Sequence, residues 1–302
     1  MLETNFMNKD FSNPLVLASG IRDLTAANLR LAIESGAGGV TIKSISEETR
    51  SGHVNPTMIG TEHFFHNAVG LSNPGIAAAI EEMINFKKTS SAPLIGSIFA
   101  GTPDGFEKIA GLINQAPIDF LEVNISCPNV SKEFGTPFAY STSAVEVITK
   151  KVKAASRAPV IIKLSPNAWN IAEMAKAAEA AGADALTAVN TISGMMIEVK
   201  SRRPILANKQ GGISGPALFP IALKCVYDIY EAVKIPIIGM GGITNGTDAM
   251  AMVMAGATLL GVGSAVYYRG LEVFKKITDE MEKIMREEKI NSLAEIRGAA
   301  HS

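Results

Sequence analysis

The chain has 302 residues, of which 47% are hydrophobic, and its 28 basic and 29 acidic residues give a net charge of −1. This balance argues against a nucleic-acid footprint or a polybasic membrane patch, and two cysteines cannot form a disulfide framework. No apolar run approaches the ~20 residues of a transmembrane helix, and the residues up to Asn13 lack the apolar centre of a signal peptide. We therefore expect a cytoplasmic protein with one domain over residues 1–302.

Eight short apolar runs recur along the chain, with helix-length stretches between them. The predicted strands cover residues 14–19, 39–44, 94–99, 120–126, 160–165, 185–191, 236–242 and 259–265. Most are rich in Val, Ile, Leu and Ala, as is typical of parallel strands that are covered on both faces. Eight strand–helix units predict an α/β fold, namely a (β/α)8 TIM barrel. Residues 45–73 and 192–213 should form long loops over its C-terminal face.

Polar residues and glycines collect at the carboxyl ends of these strands. In chain order they are Ser19 and Gly20; Lys43 and Ser44; Asn124, Cys127 and Asn129; Lys163; Asn190 and Thr191; Gly241 and Gly242; Gly263 and Ser264. In a parallel barrel these ends share one face, where active sites lie. Lys43 and Lys163 stand inside apolar strands, which is costly unless each meets an anion or other acceptors. The alternative is a lysine that reaches solvent from the strand end.

The segment from Asn124 to Asn129 places a thiol between two carboxamides and ends in a proline turn. Cys127 could act as a general base, or as a nucleophile helped by a histidine of the first long loop. Alternatively, a cysteine can simply be a small buried core residue. This interpretation suits Cys225, on a predicted helix, better than Cys127. No cysteine–histidine spacing of a metal site occurs, so we expect no bound metal.

Glycine-rich turns end the last two strands, at residues 239–243 and 261–264, and a third stretch covers residues 211–216. Loops after the seventh and eighth strands of barrels often hold a phosphate through backbone N–H groups, so these turns predict a phosphate site. Residues 67–75, at the end of the first long loop, could form a substrate wall or an ordinary structured loop.

Taken together, these segments resemble the class 1 dihydroorotate dehydrogenase family along nearly the whole chain. The motifs that carry the resemblance are residues 13–20, 43–44, 67–75, 124–130, 162–167, 189–191, 211–217, 239–243 and 261–264. Cysteine in the Ser-Cys-Pro-Asn block is similar to class 1, whereas class 2 has serine there and an N-terminal membrane extension. Residues 203–208, which lead into the third glycine stretch, look most like class 1B, the NAD-linked heteromeric form.

The resemblance implies a barrel that binds FMN and oxidises dihydroorotate to orotate in pyrimidine biosynthesis. Cys127 would take the C5 proton while hydride leaves C6 for the flavin, and Lys43 would assist. The substrate residues would be Lys43, Asn67, Val69, Gly70, Leu71, Asn124, Asn129, Asn190 and Thr191. The FMN residues would be Ser19, Gly20, Lys43, Ser44, Asn124, Lys163, Val189, Gly215, Gly241, Gly242, Gly263 and Ser264.

Class 1B resemblance also implies a partner subunit that carries FAD and an iron–sulfur cluster. The sequence itself has no strand–GxGxxG–helix unit and no four-cysteine set for these groups. A homodimer, or a heterotetramer with that partner, is the expected assembly, without nucleic-acid or membrane partners.

Two segments depart from the class 1B pattern and leave alternatives open. Residues 96–99 read Gly-Ser-Ile-Phe, where class 1B usually has an Ala-Asn step near the flavin. Residues 189–194 look like the pyrimidine-reducing domain of dihydropyrimidine dehydrogenase, which has histidine where this chain has Asn129. Uracil or thymine reduction and class 1A-type, fumarate-linked oxidation are therefore the alternative functions. A hypothesis from a different functional class is a non-redox barrel enzyme, such as a sugar-phosphate lyase, in which Lys163 forms a Schiff base with the substrate. Flavin absorbance of the purified protein would exclude it.

Overall fold

Eight parallel strands close into a barrel in the computed structural model, which describes residues 1–125 and 138–302. The strands are β1 (Leu15–Leu17), β2 (Gly39–Thr41), β3 (Leu94–Ile98), β4 (Phe120–Asn124), β5 (Val160–Lys163), β6 (Ala185–Ala188), β7 (Ile237–Met240) and β8 (Leu259–Val262). Every residue in these strands is buried, which explains why their sequences are mostly apolar rather than alternating between apolar and polar residues. The predicted TIM barrel is confirmed.

The strands end earlier than predicted, because the polar residues after them leave the ladder and enter loops. The predicted strand over residues 14–19 ends at Leu17, and the one over 185–191 ends at Ala188, where a cis peptide bond joins Ala188 to Val189. Cys127 and Asn129 lie outside the described residues.

In the part of the chain that the structure describes, eight helices of nine or more residues surround the barrel. They are α1 (Ala26–Glu34), α2 (Ile76–Lys87), α3 (Pro103–Leu112), α4 (Thr142–Ala155), α5 (Ile171–Ala180), α6 (Phe219–Ala232), α7 (Gly246–Met254) and α8 (Val273–Glu287). Short helices cover Ala265–Arg269 and Leu293–Ile296, and 3-10 turns cover Ile113–Gln115, Phe138–Tyr140, Pro216–Leu218 and Ala299–His301. Within the described ranges, no helix is long and apolar enough to cross a membrane.

The polar loops on the C-terminal side pass directly into capped helices. Asn245 accepts a hydrogen bond from the backbone N–H of Asp248 at 2.9 Å and so starts α7 immediately after the β7 turn. Thr25 and Thr102 cap α1 and α3 in the same way. Each cap satisfies an N–H group that a helix otherwise leaves unpaired, and it fixes where the loop ends.

The two long connections form a second sheet over the C-terminal face, which we call the cap sheet. Its strands, in spatial order, are Ile192–Met195, Gln210–Ser214, Phe65–Asn67 and Met58–Gly60, and all neighbours are antiparallel. A two-residue pair, Ile197–Glu198 with Arg203–Pro204, extends one connection. These are the two long connections predicted over the C-terminal face, but their strand pairing was not predicted, because it joins segments about 145 residues apart and depends on glycines.

An N-terminal hairpin closes the opposite end of the barrel. Its strands, Thr4–Phe6 and Lys9–Phe11, place Phe6 and Phe11 against Phe120, with ring centroids 5.5 and 6.2 Å from that ring. Val16, Ile95, Phe120, Ile161, Ala185, Ile238 and Leu259 complete this cluster from seven barrel strands. A separate, larger core lies between the strands and the surrounding helices.

Candidate active site

A cavity of about 420 Å³ opens at the carboxyl ends of the barrel strands, beside the cap sheet. Seven of the eight barrel strands contribute a lining residue at or just after their carboxyl end, and only β3 does not. Met58, Phe65, Asn67 and Ser214 of the cap sheet form part of the wall. The volume is in the range of small-molecule and cofactor sites.

The sequence-predicted site residues that the structure describes all line this cavity. They are Ser19, Gly20, Lys43, Ser44, Asn67, Val69, Gly70, Leu71, Asn124, Lys163, Val189, Asn190, Thr191, Gly215, Gly241, Gly242, Gly263 and Ser264. They come from seven barrel strands and the cap sheet, so the fold brings together residues that are up to 245 positions apart.

A chain of hydrogen bonds links the polar residues along one wall. Asn190 Nδ2 donates to Asn124 Oδ1 at 3.4 Å, and Asn124 Nδ2 donates to Ser44 Oγ at 3.1 Å. Ser44 in turn lies 3.2 Å, oxygen to oxygen, from Ser19. Ser44 and Asn124 are buried, so these bonds fix the carboxamides in one orientation toward the cavity.

Both lysines were predicted inside strands, but only Lys163 lies in one, because β2 ends two residues before Lys43. Their surroundings also differ. Lys163 is buried, and its Nζ lies 3.4 Å from a carboxylate oxygen of Glu122. Lys43 is half-buried, and an added Cβ on Gly20 would lie 3.9 Å from its Nζ, which places the ammonium beside the β1 loop. Both lysines line the same cavity together with Arg22, whereas Asp23 is the one acidic residue among the described lining residues, so basic groups predominate and the cavity suits an anionic ligand.

Sequence reasoning passed over Asp23, an acidic residue in the cavity wall. Asp23 is 2% exposed and accepts a hydrogen bond from the backbone N–H of Gly20. Burial raises the pKa of its carboxyl group to about 6, although the positive charge of Lys43 opposes this shift. The available signal was an acidic residue within the loop after a predicted barrel strand.

Glu122 is the second residue that sequence reasoning missed. It occupies the middle of β4, between Leu121 and Val123, and is 1% exposed. The argument that singled out Lys163, a charged side chain inside an apolar strand, applies equally to Glu122. The structure shows why both are tolerated, because they pair with each other.

The glycines in the turns after β7 and β8 are needed for different reasons. A Cβ on Gly241 would lie 2.6 Å from Ala222 Cβ, and one on Gly242 would lie 2.6 Å from the backbone nitrogen of Phe219, so packing against α6 requires glycine there. Gly263 has no such constraint, because its φ is not in the left-handed region and its Cβ would meet nothing nearer than 3.6 Å. Glycine at this position therefore keeps cavity space free.

The turns after β7 and β8 together fit a phosphate group. Within residues 1–125 and 138–302, the backbone N–H groups of Gly242, Gly263 and Ser264 donate no hydrogen bond to the protein. Free N–H groups around an open space are what a phosphate oxygen requires. Of the glycines in the third stretch, Gly215 lines the cavity, whereas Gly211 and Gly212 lie in the cap sheet, packed against Asn67 and Thr191.

The described histidines do not line the cavity, so none of them stands ready to assist a nucleophile there. His66 is fully buried in the cap sheet, and its Nε2 lies 3.0 Å from the carbonyl oxygen of Gly194. Burial lowers the pKa of its imidazole, which favours the neutral ring. His53 Nδ1 lies 3.0 Å from the carbonyl oxygen of Ala68, and the His63 side chain is largely exposed.

Known proteins resemble this chain along nearly its whole length. The family model described as dihydroorotate dehydrogenase matches residues 1–285. The chain is 44% identical to dihydroorotate dehydrogenase B (NAD(+)), catalytic subunit, of Pyrococcus abyssi, with 99% of each chain covered. It is 42% identical to the protein of the same name from Methanocaldococcus jannaschii, covering 100% of this chain and 98% of the relative. The chain therefore belongs to the dihydroorotate dehydrogenase family.

Proposed function

We propose that this protein oxidises (S)-dihydroorotate to orotate in de novo pyrimidine biosynthesis, as an FMN-binding catalytic subunit linked to NAD. The observation that carries the proposal is the convergence of the motif residues from seven strands on one cavity. Relatives that share more than 40% of their residues with this chain over nearly their whole length are named as NAD-linked catalytic subunits.

The cavity residues fit FMN at both of its ends. Gly215, Gly241, Gly242, Gly263 and Ser264 would hold the phosphate through backbone groups. Ser19, Gly20, Ser44, Asn124, Lys163 and Val189 would surround the ring system. When bound, FMN supplies the acceptor for the hydride that leaves dihydroorotate. The Lys163 ammonium would favour a ring that carries negative charge.

The remaining cavity residues suit an anionic pyrimidine. Dihydroorotate carries one carboxylate, which pairs well with the ammonium of Lys43. Asn67, Asn190 and Thr191 offer donors and acceptors to the ring carbonyl and N–H groups, while Val69, Gly70 and Leu71 close one side. Asn124 would contact both the substrate and the flavin, because it lies in the hydrogen-bonded chain between Ser44 and Asn190.

Cys127 and Asn129 receive their roles from the motif alone, since both lie outside the described residues. The Cys127 thiolate would take the C5 proton of dihydroorotate, and Asn129 would contact the pyrimidine ring. A cysteine can serve as a general base because its reference pKa, ~8.5, lies near the working pH.

We further propose that the electrons reach NAD through a partner subunit that carries FAD and an iron–sulfur cluster, in a heterotetramer built on a homodimer. The whole sequence has two cysteines, too few for a cluster of its own. The relatives are named as catalytic subunits, which supports the existence of a second subunit.

Steady-state assays test this function. Protein purified alone should contain FMN and reduce an artificial dye with dihydroorotate, but it should not reduce NAD until the partner subunit is added. Full-rate NAD reduction by the single chain would refute the partner. Full-rate reduction of fumarate by the single chain would instead indicate a class 1A-type, fumarate-linked enzyme. Reduction of uracil without any oxidation of dihydroorotate would assign the chain to pyrimidine reduction.

A further inference from the structure

Glu122 lies at the centre of a polar cluster inside the otherwise apolar barrel. Its Oε1 accepts hydrogen bonds from Ser97 Oγ at 3.0 Å and from Lys163 Nζ at 3.4 Å. Its Oε2 accepts one from Thr187 Oγ1 at 3.1 Å. Ser97, Glu122 and Thr187 are at most 1% exposed, and none of them lines the cavity. The carboxylate therefore lies one layer beneath the site and holds donors from three neighbouring strands.

The serines connect this carboxylate to the cavity wall. Each hydroxyl has one proton to donate. Ser97 donates its proton to Glu122, so in the 2.9 Å contact with Ser44 it is the acceptor, and Ser44 is the donor. Ser44 then accepts from Asn124 Nδ2. All these hydrogen bonds run toward the carboxylate, so they connect the cavity wall to Glu122 through donated protons.

Lys163 is the only described cation that donates to Glu122, and it also lines the cavity. The side chains of the pair are 5% and 2% exposed, so water screens neither charge. A negative charge at 3.4 Å offsets much of the positive field that the ammonium exerts on its other side. Glu122 therefore weakens the stabilisation that Lys163 gives to an anion in the cavity.

We propose that Glu122 is a positioning residue that acts through Lys163 to keep the reduction potential of the bound flavin low. The inference rests on the proposed function, in which Lys163 lies beside FMN. Reduction adds negative charge to the flavin, and an uncompensated lysine would stabilise that charge and hold the electrons. NAD is a weak oxidant, so a flavin that supplies it benefits from a lysine whose charge is partly neutralised.

The flavin midpoint potential tests this inference, measured by anaerobic dye-equilibrated titration of the FMN-loaded protein. Glu122→Gln should raise the potential, and Lys163→Met should lower it. For a two-electron couple, a tenfold change in the ratio of affinities for reduced and oxidised flavin corresponds to about 30 mV, and we expect at least that shift for Glu122→Gln. The double variant should match Lys163→Met, because Glu122 acts only through the lysine.

Asp119→Asn is the matched control. Asp119 immediately precedes β4 and pairs with Lys87 at 2.6 Å, so this variant also removes a paired carboxylate from the same strand, at the end far from the cavity. It should leave the flavin potential at the wild-type value.

Glu122→Asp is the second variant, for the case in which Glu122→Gln does not retain FMN. It moves the carboxylate away from Lys163 by one methylene group, so it must raise the potential by a smaller amount.

An unchanged or lowered potential in FMN-loaded Glu122→Gln overturns the inference and leaves the proposed function standing. An upward shift of equal size with and without Lys163 also overturns it, since Glu122 would then act directly. Wild-type protein that cannot be loaded with FMN refutes the proposed function, and the inference falls with it.

Discussion

Cys127 carries the proton transfer in the proposed reaction, so its replacement has the most direct effect. Cys127→Ala should retain FMN but reduce it with dihydroorotate about 10²–10⁴-fold more slowly near neutral pH, the usual loss for a general base. Anaerobic stopped-flow absorbance follows the flavin directly. Cys127→Ser is the matched control, and its rate should recover at high pH because a hydroxyl is a far weaker acid than a thiol. A wild-type rate in the alanine variant would remove Cys127 from the mechanism.

Asp23 makes folding stability depend on pH. Its carboxyl group has a pKa of about 6 in the folded protein against 3.8 without burial, so the folded state holds this proton more tightly. The unfolded chain releases it first as pH rises, and the free energy of unfolding therefore falls between pH 3.8 and about 6 and then levels off. The total loss from this group is about 3 kcal/mol at most.

Asp23→Asn removes that loss. Relative to wild type, the FMN-free variant should become more stable by up to about 3 kcal/mol on going from pH 4 to pH 7. Urea unfolding at the two pH values gives the difference directly. Asp279→Asn, at an exposed position of α8, provides the control. An equal stability difference between variant and wild type at both pH values would contradict the buried, proton-holding carboxyl group.

Gly263 separates ligand binding from folding. A methyl group there meets protein atoms only at 3.6 Å or beyond, which is ordinary contact, so Gly263→Ala should keep its stability. The same methyl enters the space assigned to the phosphate, and FMN should bind at least about tenfold more weakly, a loss of ~1.4 kcal/mol. Fluorescence titration of the apoprotein measures this. Gly111→Ala, on α3 with no atom within 4 Å of the new methyl, should bind FMN normally, and equal affinities in both variants would disprove the cradle.

At the scale of elements, the N-terminal hairpin matters because it supplies two of the three rings of an aromatic cluster. Phe6 is 1% exposed and contacts Phe11 and Phe120 edge-on, with ring centroids 6.2 and 5.5 Å apart. Phe6→Ala should lower the free energy of unfolding by about 3–5 kcal/mol, the usual cost of emptying a core phenylalanine site.

Denaturant unfolding measures this loss, and FMN affinity in the folded variant should stay at the wild-type value because the cavity lies at the other end of the barrel. Val147→Ala, a 45% exposed position on α4, is the control and should change stability by less than about 0.5 kcal/mol. A comparable loss in both variants would show that the hairpin does not brace the barrel.

The elements that sequence predicts well are those whose physics is local. Runs such as Val160–Lys163 are buried on both faces, so their composition alone identifies them as strands. Their final residues were predicted one to three positions too far, because loops that carry polar groups still begin with apolar residues. Gly182 and Gly256 each follow the end of a helix and adopt φ values of +94° and +120°, the helix-ending position that glycine favours.

The cap sheet shows where prediction from sequence stops. Gln210–Ser214 contains two glycines, which suggest a turn in the sequence, yet the segment is a strand. Glycine is required at position 211 because any side chain there would collide with the backbone of Asn67 in the neighbouring strand. Ser97 is a similar case. Its departure from the class 1B pattern suggested a changed flavin contact, but the residue lies beneath the cavity and bridges Ser44 and Glu122. Both depend on non-local neighbours.

At the scale of the whole molecule, the cavity collects residues from seven strands, so a ligand that fills it links most of the barrel. The proposed cofactor, FMN, would bind only the folded protein, so it should raise stability by about 2.7 kcal/mol at a concentration 100 times its Kd. Scanning calorimetry of apoprotein with increasing FMN tests this. Riboflavin, which lacks the phosphate, should raise Tm less at equal concentration, and a Tm that ignores saturating FMN would contradict the proposed cofactor.

The hairpin that fills one end of the barrel also gives the molecule a front and a back. Substrate enters and product leaves at the face where the cavity opens, and electrons must leave there too, whereas the other end of the barrel is filled by packed side chains. Met1 is 52% exposed beside that packed end, whereas Leu2 is already buried. A tether at the first residue would thus fasten the enzyme to a support by its back and leave its working face turned toward the solution.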